Sequence, residues 1–173
     1  MTWIAPDVQR IEPAEPAPER AALQCWLDYH RATLLFKCQG LTGQQLVQRT
    51  AEPSTLSLLG LVRHMAEVER SWFCRRLAGQ PDLPYLYSTD EYPDGDFDLA
   101  DGAGAEAAFE TFRAECAAAD AAAAGRSLDE TFTTSRGETL DLRWIYLHMI
   151  EEYARHNGHA DILRERLDGV TGD

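Results

Sequence analysis

Three histidines and two adjacent glutamates form the group of residues whose type and spacing point most clearly to chemistry. His148, His156 and His159 fall within twelve residues of one another, beside Glu151 and Glu152. Imidazole and carboxylate groups are common ligands of divalent metal ions. In an α-helix, residues four apart lie one turn apart on the same face, a rise of about 6 Å. The spacing therefore predicts a ladder of metal-binding groups formed by His148, Glu152 and His156.

One ion cannot bind all three members of this ladder. His148 and His156 are eight residues apart, about 12 Å along a helix, whereas metal–ligand bonds are only about 2 Å long. The ion must therefore use one adjacent pair, and spacing leaves open which one. A further ligand is expected from another helix, where His64 lies near the middle of a second apolar repeat. Two imidazoles and one carboxylate leave positions open for water or substrate, as in a catalytic site.

These residues also have a plain structural interpretation. A histidine within a helix is usually a surface residue or a hydrogen-bonded core residue, and neighbouring glutamates are usually solvated. Spacing alone does not decide between this interpretation and metal binding.

The elements that must position these groups are predicted to be four long helices. Apolar residues recur every three or four positions over residues 19–39, 54–78, 106–124 and 141–168. The pair Ser54 and Thr55 is expected to cap the second helix, and Asp141 the fourth. Residues 80–104 are rich in proline and tyrosine, which predicts a crossover or a functional loop that covers the metal. A short β-hairpin is predicted over residues 130–137.

The chain is long enough for one domain. It has 173 residues, and four prolines among residues 5–18 predict an extended arm. We therefore expect an arm over residues 1–18, a single all-α domain over residues 19–169, and a short tail over residues 170–173.

Composition limits the partners of the protein. The net charge is −13 and the basic residues are scattered, which disfavours binding to nucleic acid or to anionic membranes. No apolar run approaches the roughly 20 residues of a membrane span, and the first residues do not form a signal peptide. These features predict a cytoplasmic protein. The four cysteines are widely separated, which predicts buried, inert thiols and neither a disulfide framework nor a thiolate metal site.

Two stretches of sequence resemble the signatures of a known superfamily. Residues 58–70, LLGLVRHMAEVER, and residues 148–161, HMIEEYARHNGHAD, closely resemble the DinB-like superfamily, in particular its actinobacterial mini-circle protein branch. Residues 28–35, DYHRATLL, resemble the same group. The resemblance therefore covers nearly all of the domain that follows the arm.

The resemblance implies an up-down-down-up four-helix bundle with a long crossover loop between its second and third helices. It also implies a divalent metal site with one histidine on the second helix and two ligands one turn apart on the fourth. The similar mycothiol-dependent maleylpyruvate isomerases use Glu followed four residues later by His, a pattern that matches His64, Glu152 and His156 here. His148 and His159 would then be supporting or substrate-facing groups.

The function implied by the resemblance is that of a thiol S-transferase. Such enzymes use a low-molecular-weight thiol, such as mycothiol, to attack a small electrophile, and many relatives are homodimers. Zinc is the favoured metal, with nickel, manganese and iron as alternatives. Residues close to the proposed ligands that could contact the thiol are Arg63, Glu67, Arg155 and Asn157. The alternatives left open are a metal-dependent hydrolase and a non-catalytic metal-binding or stress-response bundle.

Overall fold

The computed structural model describes residues 2–13 and 16–172 and is mostly helical. Within these residues there are six α-helices: α1 (Glu19–Phe36), α2 (Gly43–Leu46), α3 (Leu58–Glu69), α4 (Gly95–Asp98), α5 (Ala105–Ala123) and α6 (Leu142–Asp168). Helix α3 continues into a π-helical segment, Arg70–Leu77, and a 3-10 turn occupies Gly102–Gly104. Strands β1 (Thr131–Thr133) and β2 (Thr139–Asp141) pair antiparallel and form the predicted hairpin. Of the predicted arm and tail, Met1, Ala14, Glu15 and Asp173 lie outside the described residues.

The second long helix begins later than predicted. Ser54 and Thr55 do not cap it; the N-cap is Ser57, whose side chain accepts a hydrogen bond of 3.1 Å from the amide of Gly60. The Ser54 hydroxyl instead accepts a hydrogen bond from the amide of Leu56. This local bond stabilises a turn before the helix, a common alternative use of serine near a helix start.

The fourth long helix has the predicted cap. The carboxylate of Asp141 accepts a hydrogen bond of 2.7 Å from the amide of Trp144, and the helix ends at Gly169, whose φ of 79° is left-handed. Because β2 ends at Asp141, the hairpin leads directly into the first turn of α6. The hairpin therefore lies at the end of the bundle where α6 begins.

The four long helices pack around one apolar core. Helix α1 lies along α6, α5 lies along α3, and α3 also contacts α6. Three contacts between α6 and α1 with its C-cap residue Lys37, in chain order, join Gln24 to Tyr146, His30 to Asn157, and Lys37 to Arg164. The contacts between the second and fourth long helices occur in the reverse order, joining His64 to His156 and Phe73 to Tyr146.

A buried ion pair links three of these helices. The guanidinium of Arg31 on α1 donates two hydrogen bonds to the carboxylate of Glu69 on α3, at 2.7 and 2.8 Å. Tyr153 on α6 donates its hydroxyl proton to the same carboxylate at 2.8 Å. The Glu69 side chain is 0% exposed, so the pair is stable only because both partners are present.

The N-terminal segment packs against the domain. Ala5 is buried and exchanges backbone hydrogen bonds with Gly40 and Leu41, while the ring of Trp3 contacts Phe109 edge-on. The extended conformation fits the proline-rich sequence, since proline disfavours a helix there.

Two sequence-based expectations concern the whole chain. No helix of the described residues is long and apolar enough to cross a membrane. All four cysteines are free, but they are not uniformly buried: Cys38 and Cys74 are buried, Cys116 is partly exposed and Cys25 is exposed. The prediction of buried thiols is therefore wrong for Cys25, which lies on the outer face of α1.

Candidate metal centre

Three potential ligands from two helices meet on one side of the bundle. His64 extends from α3, and Glu152 and His156 extend from α6; each offers a ligand atom, and the three atoms lie within 4.8 Å of one another. The Nε2 atom of His156 is 3.4 Å from Oε2 of Glu152, as expected for residues one helical turn apart. The side chains are 27%, 24% and 13% exposed for His64, Glu152 and His156 respectively. They are thus sheltered but accessible to a small molecule.

This donor set fits a divalent metal ion. Tetrahedral ligand atoms at about 2.1 Å from an ion lie about 3.4 Å from one another. Side-chain rotations that move the three ligand atoms by about 1 Å would therefore bring them to bonding distance from one ion. Two neutral imidazoles and one carboxylate also leave at least one coordination position for an exogenous ligand.

His64 is oriented by an acidic residue that no sequence pattern indicates. The Nδ1 atom of His64 is 2.7 Å from Oδ2 of Asp96, a buried residue on α4. This contact holds the ring and leaves Nε2 as the free nitrogen of His64. A carboxylate behind a histidine ligand is a common arrangement in metal sites, because it fixes the ring and strengthens the ligand.

Helix α4 is in turn fixed to α3. Arg63 donates hydrogen bonds of 2.8 Å to the carbonyl oxygens of Gly95 and Asp96, and its guanidinium stacks over the ring of Tyr87 at 3.9 Å. Burial lowers the pKa of Arg63, an effect that Tyr87 and Asp96 partly offset. Close approach also requires Gly60, because a Cβ atom there would lie 2.5 Å from Cδ1 of Phe97.

His156 is neutral at physiological pH, as a metal ligand must be. Burial lowers its pKa to about 4, and the nearby imidazoles of His64 and His159 add to this effect. The Nδ1 atom of His156 is 3.4 Å from Nδ1 of His159, on the side of the ring away from Glu152. His159 is therefore adjacent to a proposed ligand and not part of the three-residue group.

His148 lies on the other side of Glu152. Its Nε2 atom is 3.5 Å from Oε1 of Glu152, and its ring stacks on Trp144 with 4.7 Å between ring centroids. The ring of Trp72 meets His148 edge-on, also at 4.7 Å. These contacts create an aromatic wall beside the candidate centre.

The other residues predicted to contact substrate have different surroundings. Glu67 is buried, and its Oε2 atom accepts hydrogen bonds from the amides of Leu86 and Tyr87. Its Oε1 atom is buried without a partner among the described residues. Glu67 thus ties the 80–104 loop to α3.

Arg155 and Asn157 extend away from the three ligands. Arg155 is exposed and pairs with Glu151 at 2.8 Å. Asn157 is buried and donates a hydrogen bond of 3.1 Å to the carbonyl oxygen of His30 on α1. Adjacent residues on a helix differ in direction by about 100°, so proximity in sequence to His156 does not bring either side chain to the centre.

The 80–104 loop lies against the candidate centre. It contains α4 and supplies both Asp96 and Phe97, whose ring centroid is 5.4 Å from that of His64. The sequence gives little indication that Asp96 would contact His64, because Asp96 is one of several acidic residues in the segment. Only the adjacent glycine and phenylalanine set it apart.

Comparison with known proteins gives one match. The model of the family described as mycothiol-S-transferase matches residues 22–169, a range that includes every residue of the candidate centre. No curated protein and no solved structure matches the chain.

Proposed function

The chain belongs to the mycothiol-S-transferase family, and we propose that it joins mycothiol, through its sulfur, to a small electrophile at a metal centre held by His64, Glu152 and His156. The family is DinB-like, so the superfamily predicted from the helix signatures is confirmed, while the mini-circle branch stays a prediction. Membership favours the transferase over the two predicted alternatives, a hydrolase and a non-catalytic bundle.

The observation that carries this proposal is the meeting of two imidazoles and one carboxylate from distant parts of the chain. A divalent ion bound there would lower the pKa of a thiol, so that the nucleophilic thiolate is available at neutral pH. Zinc suits the mixed nitrogen and oxygen ligands best. Nickel, manganese and iron are the alternatives.

The remaining residues would orient and support this centre. Asp96 holds His64, and His159 contacts His156. His148 contacts Glu152 and is partly exposed, which makes it the imidazole best placed to accept the proton that the thiol releases. Attack then forms a sulfur–carbon bond, and the leaving group departs with its electron pair.

Of the residues predicted to lie near the ligands, only His148 and His159 keep a proposed substrate-facing role, because the other four make structural contacts. The contacts of Arg63 and Glu67 with the loop favour positioning roles, and the pairing of Arg155 with Glu151 favours a surface role. Asn157 supports the packing of α1 on α6.

We also propose the finer features of the fold. The order of contacts between α1 and α6, and the reversed order between the second and fourth long helices, support an up-down-down-up bundle. The domain is assigned to residues 19–169, the arm to residues 1–18 and the tail to residues 170–173. A cytoplasmic location is supported by the free cysteines and the thiol-dependent family. The expected homodimer is tested by light scattering during size exclusion.

The test of activity is consumption of monochlorobimane by the zinc-loaded chain with and without mycothiol. We expect mycothiol-dependent displacement of chloride that Glu152→Ala reduces at least a hundredfold. Glu151→Ala, which removes the neighbouring exposed carboxylate, is the matched control and should retain activity. Turnover without mycothiol, with water as the nucleophile, would instead identify a hydrolase.

A further inference from the structure

A cavity beside the hairpin carries an unusual concentration of positive charge. This hairpin cavity has a volume of about 440 Å³, within the range typical of small-molecule sites. It lies between the end of the π-helical segment, the start of the 80–104 loop and the hairpin. Its polar lining includes Arg75, Arg76, Tyr85, Thr133, Thr134 and Ser135.

The arginines at the hairpin cavity have no acidic partners among the described residues. The guanidinium of Arg75 lies over the ring of Tyr85 at 4.2 Å, and that of Arg76 lies over Trp72 at 4.3 Å. Arg76 also donates to the carbonyl oxygen and hydroxyl of Ser71. Burial lowers the pKa of Arg76; the Tyr85 hydroxyl partly offsets this effect, and the positive charges of Arg75 and Arg136 add to it.

One acidic group borders the cavity: Glu138 accepts a hydrogen bond of 3.3 Å from the hydroxyl of the cavity-lining Thr134. Glu138 is exposed and pairs with no arginine in the described part of the chain. Arg75 and Arg76 line the hairpin cavity and Arg136 acts on Arg76 through its charge, so in a protein with a net charge of −13 this is a local excess of positive charge, which favours an anion.

A row of side chains in contact with one another runs from the hairpin cavity to the metal centre. Arg76 contacts Trp72, Trp72 contacts His148, and His148 contacts Glu152. Trp72 is eight residues from His64, so their Cα atoms are at most about 12 Å apart along the helix axis. Trp72 and His148 are each partly exposed, so a flat apolar molecule would lie against the exposed parts of these rings.

We propose that the hairpin cavity binds the carboxylate of an aryl electrophile whose reactive carbon reaches the metal centre along Trp72 and His148. This inference rests on the proposed function and defines the substrate class: an aromatic acid with about 10 Å between its carboxylate and its reactive carbon. Arg75 and Arg76 bind the carboxylate, and the hydroxyls of Thr133 and Ser135 complete the site.

A binding experiment tests the site without turnover. Titration calorimetry of the zinc-loaded chain would compare biphenyl-4-carboxylate with biphenyl-4-carboxamide, which has the same shape and no charge. We expect the carboxylate to bind about tenfold more tightly, and Arg75→Gln to abolish the difference. Arg113→Gln, which removes an exposed arginine of α5, is the matched control and should keep the difference.

Arg76→Gln is a second test, since Arg75 also stacks on Tyr85 and its loss could disturb the loop. Circular dichroism and thermal unfolding of each variant identify a folding defect. Equal affinity for acid and amide in the wild-type chain would overturn the proposal. So would the same loss of affinity in Arg75→Gln and Arg113→Gln.

A kinetic experiment separates this inference from the proposed function. The substrates are 4′-(chloromethyl)biphenyl-4-carboxylate and its carboxamide, from which mycothiol displaces chloride as the sulfur–carbon bond forms. Arg75→Gln should raise KM for the acid about tenfold and remove the preference for the acid over the amide in kcat/KM, whereas Arg113→Gln should keep that preference. Turnover of both substrates with equal KM would overturn only the carboxylate site. Absence of mycothiol-dependent turnover, with selective binding of the acid retained, would overturn only the transferase activity.

Discussion

Replacing Asp96 by asparagine should weaken metal binding although Asp96 is not one of the three proposed ligands. The contact of 2.7 Å between its Oδ2 atom and Nδ1 of His64 is sheltered, because the Asp96 side chain is only 10% exposed. Asparagine keeps the shape and an acceptor oxygen but removes the charge that strengthens the histidine. Loss of such a supporting group typically costs about 10- to 100-fold in metal affinity. We expect a loss of about tenfold for Asp96→Asn and about a hundredfold for Asp96→Ala.

The assay is competition for zinc between the untagged chain and a chromophoric chelator at constant pH and ionic strength. Asp98→Asn is the matched control, because Asp98 lies on the same short helix but is exposed and pairs with Arg49. It should bind zinc like the wild type. The reasoning is refuted if Asp96→Asn binds zinc with wild-type affinity, or if both variants lose affinity equally while remaining folded.

Three further predictions concern the side chains that support the centre and the core. Because burial lowers the pKa of His156 to about 4, the unfolded chain binds more protons than the folded chain between pH 6.5 and 4. The metal-free protein should therefore lose stability as pH falls through this window, and His156→Gln should make the stability measured by urea titration depend less on pH. Parallel stability profiles for the wild type and the variant would contradict this prediction. Tyr153→Phe removes the hydroxyl that donates to Glu69 and should lower the free energy of unfolding by about 2 kcal/mol; an unchanged urea midpoint would show that this bond contributes nothing. Gly60→Ala should displace Phe97 and the short helix α4 that carries it and Asp96, and so lower zinc affinity about tenfold in the chelator assay. Wild-type affinity would show that this displacement leaves the metal ligands in place.

The long helices and the adjacent pair of proposed ligands could be anticipated because both follow from local repeats. Glu152 and His156 are one turn apart in any helix, so their proximity needs no knowledge of the fold. The choice between His148 and His156 could not be made from spacing, since both flank Glu152 at the same distance in sequence. It depends on the direction of α3, which brings the ring of His64 within 4.8 Å of that of His156 and places Trp72 beside His148.

Asp96 could not be anticipated because its position depends on the path of a long irregular loop. Nothing periodic marks it, and its contact with His64 joins residues 32 positions apart. Arg63 is predicted to contact the thiol because it adjoins His64 in sequence. It instead contacts the loop backbone, since each helical residue points about 100° away from the one before it. The residues that support a site are therefore harder to identify from sequence than the ligands themselves.

The most direct test is the metal content of the untagged chain, purified without added metal and measured by elemental analysis beside its variants. We expect about one divalent ion per wild-type chain, a substoichiometric amount in His64→Ala, Glu152→Ala and His156→Ala, and full occupancy in Glu151→Ala. A wild-type chain that neither retains nor takes up a divalent ion, or a folded His64→Ala variant with full occupancy, would contradict a centre shared between α3 and α6.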